Sequence, residues 1–157
     1  MVYPFLCINM AFGRLRQLLD FIINLDENKI VFDILQKRSA LEVEILNLNR
    51  IDQLFKRGID SEGRLIGVYS FRTEEISGGR KRAGTHITLF DTGQFYKSFA
   101  ILPFEDFFRI TANPIREDTN LFEDFGEDIV GLTEENKAKL PDLIRPRIIQ
   151  YIKERLP

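Results

Sequence analysis

Apolar residues recur every three or four positions near the start of the chain, which predicts an amphipathic helix over residues 11–25. The residues that carry this pattern are Phe12, Leu15, Leu19 and Ile22. The polar run at 26–28 ends the helix, and the apolar pairs 30–31 and 34–35 indicate a second, short one. A third helix is predicted from about Ser39 to Arg57, with Ser39 as its N-cap and Gly58 as its C′ stop.

The composition changes at Gly58. Residues 58–85 contain six glycines and many charged residues, without a sustained apolar period. We predict a long flexible loop here, with a short strand near Leu65–Tyr69. A loop of this length inside a compact domain is usually functional or poorly ordered.

The sequence of residues 86–112 is typical of β-strands, with side chains that alternate between the two faces of a sheet. We predict a three-stranded antiparallel meander made of His86–Phe90, Lys97–Leu102 and Phe104–Ala112. The turn Asp91-Thr92-Gly93 joins the first two strands, because Asp can bond the backbone ahead of it and Gly accepts positive φ. Pro103 lies at the bend between the second and the third strand.

The end of the chain is acidic first and helical afterwards. Residues 117–128 are predicted to form an acidic loop or a short helix. Thr133 is the predicted N-cap of the last helix, and residues 134–135 put two glutamates in its first turn, where the helix dipole favours negative charge. Pro141 and Pro146 are expected to split or kink this helix. Its apolar stripe consists of Leu140, Ile144, Ile148 and Tyr151 or Ile152.

These elements predict an α+β fold in which a small antiparallel β-sheet packs with N-terminal helices and a C-terminal helix. Residues 1–157 form one domain, with a helical part at 10–57 and the sheet and last helix at 86–157. Because the amphipathic pattern begins after Met10, one interpretation takes Met10 as the natural start and residues 1–9 as an extension. The apolar N-terminus lacks a positively charged segment and a small-residue cleavage site, so it is not interpreted as a signal peptide.

The composition fits a globular protein that is not drawn to nucleic acid by its overall charge. The chain has 157 residues, of which 44% are hydrophobic, and its net charge is −2. It contains 14 phenylalanines, which supply large apolar area for a core or for interfaces. The single cysteine, Cys7, excludes an intrachain disulfide and fits a reducing compartment. No apolar run approaches the roughly 18–20 residues that span a bilayer.

Few residues point to catalysis. With one histidine and one cysteine, zinc binding is excluded. His86 follows no recognisable motif and Cys7 has no activating neighbour, so a structural role is favoured over a nucleophilic triad. The segment Asp60–Gly63 lacks the further ligands of a calcium loop. The segment Gly78–Gly84 lacks the Gly-Lys-Ser/Thr ending of a phosphate loop. We therefore predict a non-enzymatic protein without a catalytic residue, cofactor or metal.

Two charged stretches remain as candidate contact surfaces. The basic cluster Arg80-Lys81-Arg82 is either a solvated loop tip or a contact to phosphate or to acidic protein surface. The acidic stretch is interpreted as a solvated face, with a metal-dependent hydrolase centred on Asp124 and Asp128 as a rival. A nucleic-acid-binding module that uses Arg80–Arg82 is the alternative function. The acids of the stretch are Glu117, Asp118, Glu123, Asp124, Glu127 and Asp128.

The opposite charges of these two stretches suggest a head-to-tail contact between copies, with the basic cluster of one chain against the acidic stretch of the next. A heterologous contact of this kind closes into a ring when the rotation permits it. Around the turn, Gly93 allows a sharp reversal and the Asp91 side chain is expected to fasten it. Phe95 and Phe99 would meet on one face if a helical turn begins there.

The segment Thr88–Phe99, with its Asp-Thr-Gly, large apolar residue and Ser98, resembles a stretch of the tail-completion (virion-morphogenesis) proteins of tailed bacteriophages. Phe95 stands where those proteins often carry Leu, and the order of helices, basic loop and small sheet is also similar. The resemblance is closer to uncharacterised proteins of phages of gut Bacteroidetes. There it is carried by Asp52–Phe55, Gly67–Ser70, Thr119–Phe122 and Gly126–Thr133.

The resemblance implies a structural, non-enzymatic protein of the virion neck or tail, assembled in the host bacterial cytoplasm. Its implied partners are copies of itself in a ring and other neck or tail proteins, with DNA nearby and no membrane. The long helical first third departs from the compact members of the family. The predicted interface residues are Arg80, Lys81, Arg82, Asp91, Gly93, Phe95, Glu123, Asp124 and Asp128.

Overall fold

The computed structural model describes residues 4–36, 40–116 and 119–156. Helices occupy both ends of the chain and two small antiparallel sheets lie between them, which confirms the predicted α+β class. The elements in order are α1 (Pro4–Ile23), α2 (Glu27–Leu35), α3 (Ala40–Asn47), a π-helix (Leu48–Phe55), α4 (Phe71–Ile76), α5 (Gln94–Lys97), β1 (Ala100–Pro103), β2 (Phe108–Thr111), β3 (Ile115–Arg116), β4 (Thr119–Asn120), α6 (Leu121–Phe125), a 3₁₀ turn (Glu127–Ile129), α7 (Glu134–Lys137) and α8 (Leu140–Lys153).

Helix α1 contains the predicted amphipathic segment but begins earlier than expected, at Pro4. No helix breaker lies between Pro4 and Ala11, and proline is well suited to a first helical position, so the helix extends through residues 4–9. Its predicted apolar face has no partner within the described chain, since Leu15, Leu19 and Ile22 are 52%, 50% and 54% exposed.

Helices α2 and α3 form the layer that covers the first sheet. Asp26 caps α2, because its Oδ1 accepts the Lys29 N–H at 3.1 Å. Both helices pack against α8 and against β1. The most completely buried side chains of this core include Leu41, Ile45 and Ile129, so the core joins the helical first third to the C-terminal part.

The third predicted helix is continuous but not regular, because α3 passes into a π-helix at Leu48. The Lys56 N–H bonds the Ile51 carbonyl at 2.9 Å, an i→i−5 pattern. The predicted cap Ser39 lies outside the described residues. Gly58 has a φ of +62° as a chain reversal requires, although Lys56 is the C-cap and the glycine lies two residues beyond it. His86 packs directly on Gly58, and its Nε2 donates to the Phe55 carbonyl at 3.0 Å.

The segment predicted as one long loop contains more structure than expected. Helix α4 begins after Ser70, whose Oγ accepts the Thr73 N–H at 3.1 Å. In place of the strand Leu65–Tyr69 there are two isolated bridges, Ile59 with Leu65 and Val68 with His86. The serine cap, which the glycine-rich composition obscured, explains the helix.

The predicted strand His86–Phe90 is wrong. Only His86 makes a bridge, and Leu89 has a positive φ of 57°, which ends the extended conformation while its side chain is buried in the core. Gly93 adopts a φ of 80° and α5 follows it, so the turn is confirmed. The predicted strand from Lys97 begins instead at Ala100, because residues 94–97 are helical.

The predicted three-stranded meander is replaced by two separate hairpins. In the first, β1 pairs with β2 so that Ala100 faces Thr111 and Leu102 faces Arg109. The second hairpin, β3 with β4, was not predicted. The acidic stretch contains the expected short helix, α6, which Asn120 caps by accepting the Phe122 N–H.

The C-terminal prediction is confirmed. Thr133 caps α7, and its Oγ1 accepts the Asn136 N–H at 3.2 Å. The helix is split as expected, since α8 starts at Leu140 with Pro141 in its first turn and Pro146 inside it. Leu140 and Ile144 pack against the core.

Candidate interaction surfaces

Asp91 brings the basic cluster and the Asp-Thr-Gly turn together. Its Oδ1 lies 3.3 Å from Lys81 Nζ, and its Oδ2 lies 2.7 Å from Arg116 Nη2. The prediction that Asp91 fastens its own turn is therefore wrong, because the carboxylate is taken by two cations from other parts of the chain. Within the turn it is Thr92 Oγ1 that accepts the Gln94 N–H, at 3.4 Å.

The charges around Asp91 keep it ionised. Partial burial alone would raise the pKa of the Asp91 carboxyl, but the hydrogen bond from Lys81 and the positive charges of Lys81, Arg116 and Arg80 outweigh it and hold the pKa below its usual value. Lys81 Nζ also lies 5.9 Å from the centre of the Tyr69 ring. Lys81, the middle residue of the basic cluster, therefore has its charge partner within the chain.

The backbone of the basic cluster is held by α4 rather than left as a free loop. Ser77 Oγ accepts the Lys81 N–H at 3.0 Å, and Glu74 Oε2 accepts the Ala83 N–H at 2.9 Å. Arg80 and Arg82 are exposed. In the part of the chain that the structure describes, neither guanidinium forms an ion pair, although Arg80 Nε donates to the Ser77 carbonyl at 3.0 Å.

The acidic stretch is divided between several local contacts. Asp128 Oδ2 accepts from Arg64 Nη2 at 2.6 Å, and Arg64 Nε donates to Asp60 at 2.8 Å. Burial alone would raise the pKa of Asp60, but the bonds from Arg64 and from the nearby backbone lower it. Glu123 accepts from Asn120 at 2.8 Å, whereas Asp124 is exposed. Glu117 and Asp118 lie outside the described residues.

The structure gives no support to the rival hydrolase. Among residues 4–36, 40–116 and 119–156 no three His, Cys, Asp or Glu side chains come close enough to hold a metal. Asp124 and Asp128 belong to different elements, and the latter is engaged by Arg64. His86 is placed structurally, as a partner of the Phe55 carbonyl at the end of the π-helix.

Two of the predicted interface residues belong to the interior. Phe95 is 4% exposed, and its ring contacts Phe99 edge to face at a centroid distance of 5.0 Å. The expected meeting of these rings is confirmed, but it builds the core and leaves Phe95 unavailable to a partner. Gly93 is also buried, with the Phe90 ring 3.3 Å from the place of a Cβ.

Sequence reasoning missed a buried amide network between the π-helix and residues 129–133. Asn49 accepts the Gly131 N–H at 3.0 Å and donates to the Ile129 carbonyl at 3.3 Å. Gln53 donates to the Gly131 carbonyl at 2.9 Å and accepts the Thr133 N–H at 2.9 Å. The available signal was the pair of amides four residues apart in the predicted helix, in phase with its buried apolar residues.

The Asn136 amide completes this network. Its Nδ2 donates to Gln53 Oε1 and to the Leu48 carbonyl, each at 2.9 Å. All three amide residues of the network, Asn49, Gln53 and Asn136, are fully buried. Because buried amides are costly unless they are bonded, this network fixes the segment 129–133 against the π-helix.

Comparison with family models, with curated proteins and with solved structures finds no match for this chain. Among the helices in the described residues, none is long and apolar enough to cross a membrane. The exposed apolar side chains include the face of α1 and, on α4, Phe71 and Ile76, which are 86% and 76% exposed.

Proposed function

We propose that this chain is a non-catalytic assembly subunit that acts by binding copies of itself and neighbouring protein subunits. The observation that carries the proposal is the exposed apolar face of α1, formed by Leu15, Leu19 and Ile22. Fully burying such a side chain contributes about 1.5–3 kcal/mol relative to leaving it exposed. A row of three at helical spacing therefore favours association with another apolar face.

The proposed place of this subunit is the neck or tail of a tailed bacteriophage, with the virion as its location. Support for it comes from the resemblance of Thr88–Phe99 and of the other quoted segments to tail-completion proteins. A ring of copies is the proposed assembly. Arg80, Arg82 and Asp124 are exposed and form no ion pair among the described residues, which is compatible with a head-to-tail charge contact.

Native mass spectrometry and light scattering of the whole chain test the association. We expect a defined oligomer, and we expect the double variant Leu15→Glu/Leu19→Glu to dissociate it. Gln17→Glu is the matched control for the single variant Leu19→Glu, because each adds one negative charge and Gln17 lies on the opposite side of α1. If the unmodified chain is monomeric at its highest soluble concentration, or if the control dissociates it equally, the proposed role of α1 is wrong.

The charge contact has a separate test. Arg80→Glu/Arg82→Glu should weaken the oligomer at low salt and have less effect at high salt, since exposed charges are screened beyond about 10 Å at 0.1 M ionic strength. An oligomer of unchanged strength at low salt would eliminate the head-to-tail charge contact. A gel shift with DNA at low salt, lost in the same variant, would instead support nucleic-acid binding.

A further inference from the structure

A groove of about 840 Å³ lies between β2 and the segment 130–133. Phe108, Arg109 and Ile110 line one side of it, and the segment 130–133 lines the other. Leu140 of α8 also lines it. Strand β2 therefore bounds the groove on one side, and the segment 130–133, which bends at Val130 and Gly131, bounds it on the other.

The pairing of β1 with β2 shows which backbone groups of β2 are already used. Next to the hairpin turn, the Phe104 N–H bonds the Phe107 carbonyl at 2.7 Å. At the other end, the Asn113 N–H bonds Ser98 Oγ at 2.9 Å. Both pairs continue the register in which Leu102 faces Arg109. The odd-numbered residues of β2, Arg109 and Thr111, therefore direct their backbone groups towards β1.

The residues between them face outward. In an antiparallel pair the alternate residues direct N–H and C=O away from the partner strand, and in β2 these are Phe108 and Ile110. The same alternation sends the N–H of Ile101, which faces Ile110, away from β2 to Glu42 Oε1 at 3.4 Å. Within the described chain the backbone N–H and C=O of Ile110 have no hydrogen-bond partner, so β2 has an open edge along the groove.

On the other side of the groove, too, some backbone groups are bonded and others are not. Gly131 and Thr133 are bonded to the amides of Asn49 and Gln53 on the π-helix. Between them, the N–H and C=O of Leu132 take part in no hydrogen bond among the described residues, although Leu132 is only 6% exposed. Backbone groups near the interior are almost always paired, so an unpaired set on each side of one groove requires an explanation.

We propose that this groove binds an extended peptide segment of another protein chain, which adds as a strand to the outer edge of β2 and bonds Leu132 on its other side. An extended segment is the ligand that presents alternating donors and acceptors on both of its edges. β2 has four residues, so the bound part is about four or five residues long, or roughly 15 Å at 3.3–3.4 Å per residue.

The charges around the groove indicate one side chain of the peptide. Arg57 is paired with Glu135 at 2.9 Å, and Lys137 is paired with Glu134 at 2.6 Å. Arg109 is exposed and has no ion pair in the part of the chain that the structure describes. The peptide therefore carries Asp or Glu at the position beside Arg109. This inference does not depend on self-assembly through α1, because the groove contains no residue of that helix.

The probe is a library of random heptapeptides displayed on yeast and selected with the whole chain. We expect enriched peptides to be extended and to contain an acidic residue. With such a peptide bound, amide hydrogen exchange at Ile110 and Leu132 should slow at least tenfold. Exchange at Arg109 and Thr111, which face β1, should change little. N-methylation of alternate peptide amides should abolish the protection and the binding.

Variants of the protein separate the backbone from the side chains. Ile110→Pro removes the open N–H and should weaken binding roughly tenfold or more, whereas Ile110→Val keeps the N–H and should bind normally. Arg109→Gln should weaken binding of the acidic peptide by a few-fold. The N-methylated peptides make the same test on the unmodified protein if the proline variant fails to fold.

Two results would overturn the proposal. One is a selection that yields no peptide whose binding depends on the N–H of Ile110. The other is protection of Ile110 that rises with protein concentration without any peptide, because a second copy of β2 would then occupy the edge. In either case the oligomer formed through α1 would be unaffected, so failure here is distinguishable from failure of the proposed function.

Discussion

Replacing Gln53 by alanine is the most direct test of how the C-terminal segment is held. The side chain is fully buried and makes three hydrogen bonds with residues more than 70 positions away. It donates to the Gly131 carbonyl and accepts from the Thr133 N–H and from Asn136, all at 2.9 Å. Alanine removes these bonds together and leaves the partners in place.

The size of the loss follows from the groups that remain. A buried backbone group left without a partner costs about 1–3 kcal/mol, so the Gly131 carbonyl and the Thr133 N–H together cost about 2–6 kcal/mol. Asn136 keeps its bond to the Leu48 carbonyl and adds less. Because a water can enter the space that the amide vacates, we expect a loss of about 3–4 kcal/mol. A domain is stable by only about 5–15 kcal/mol in total, so this is a large effect.

Urea unfolding followed by circular dichroism measures the change. Asp52→Ala is the control on the neighbouring residue, because its carboxylate is partly exposed and its pairing with Lys56 should contribute less than about 1 kcal/mol. The double variant Gln53→Ala/Asn136→Ala should lose less than the sum of the single losses, since the two amides share a bond. A loss for Gln53→Ala no larger than that of Asp52→Ala would refute the role of the network.

Two further predictions concern stability. Gly58→Ala should lower the melting temperature more than Gly79→Ala does. Both glycines have positive φ, but a Cβ at Gly58 would lie 2.6 Å from His86 Cβ, whereas a Cβ at Gly79 would meet open space. Equal losses would show that the packing of His86 on Gly58 is unimportant. Asp91 has a lowered pKa, so its pairing contributes stability above the unfolded pKa of about 3.9, and this contribution is lost as the pH falls through the lower folded value. Asp91→Asn should reduce the fall of the urea midpoint as the pH drops below about 3.9. An unchanged slope in this pH range would contradict the pairing with Lys81.

The features that were predictable from the sequence are those with local causes. Thr133 with two glutamates after it specifies a helix start wherever the segment lies in the fold. The positive φ of Gly93 is likewise a local requirement of the turn, and α5 follows from it. Helix α1 was predicted from its period alone, which is why its lack of a partner could not be foreseen.

The features that were missed depend on distant contacts. The π-helix is stabilised by Asn49 and Gln53 bonding a segment about 80 residues later, and a local pattern contains no trace of that segment. Leu89 was placed in a strand because its neighbours are apolar, but its backbone has a positive φ while its side chain is buried in the core. Asp91 was assigned to its own turn, whereas Arg116 from β3 takes its carboxylate. A buried Phe95 and an exposed one look the same in a sequence.

The π-helix and the open groove have a common physical basis. An extended segment has two edges, and residues of one parity repeat along an edge about every 6.5–7 Å. Asn49 and Gln53 lie four residues apart on one buried face of the π-helix, and they accept the N–H groups of Gly131 and Thr133, which lie two residues apart. The amides thus act as a neighbouring strand on one edge and leave the edge of Leu132 for the groove. Gln53→Ala should therefore weaken binding of a selected peptide as well as stability, whereas Asp52→Ala should change neither appreciably.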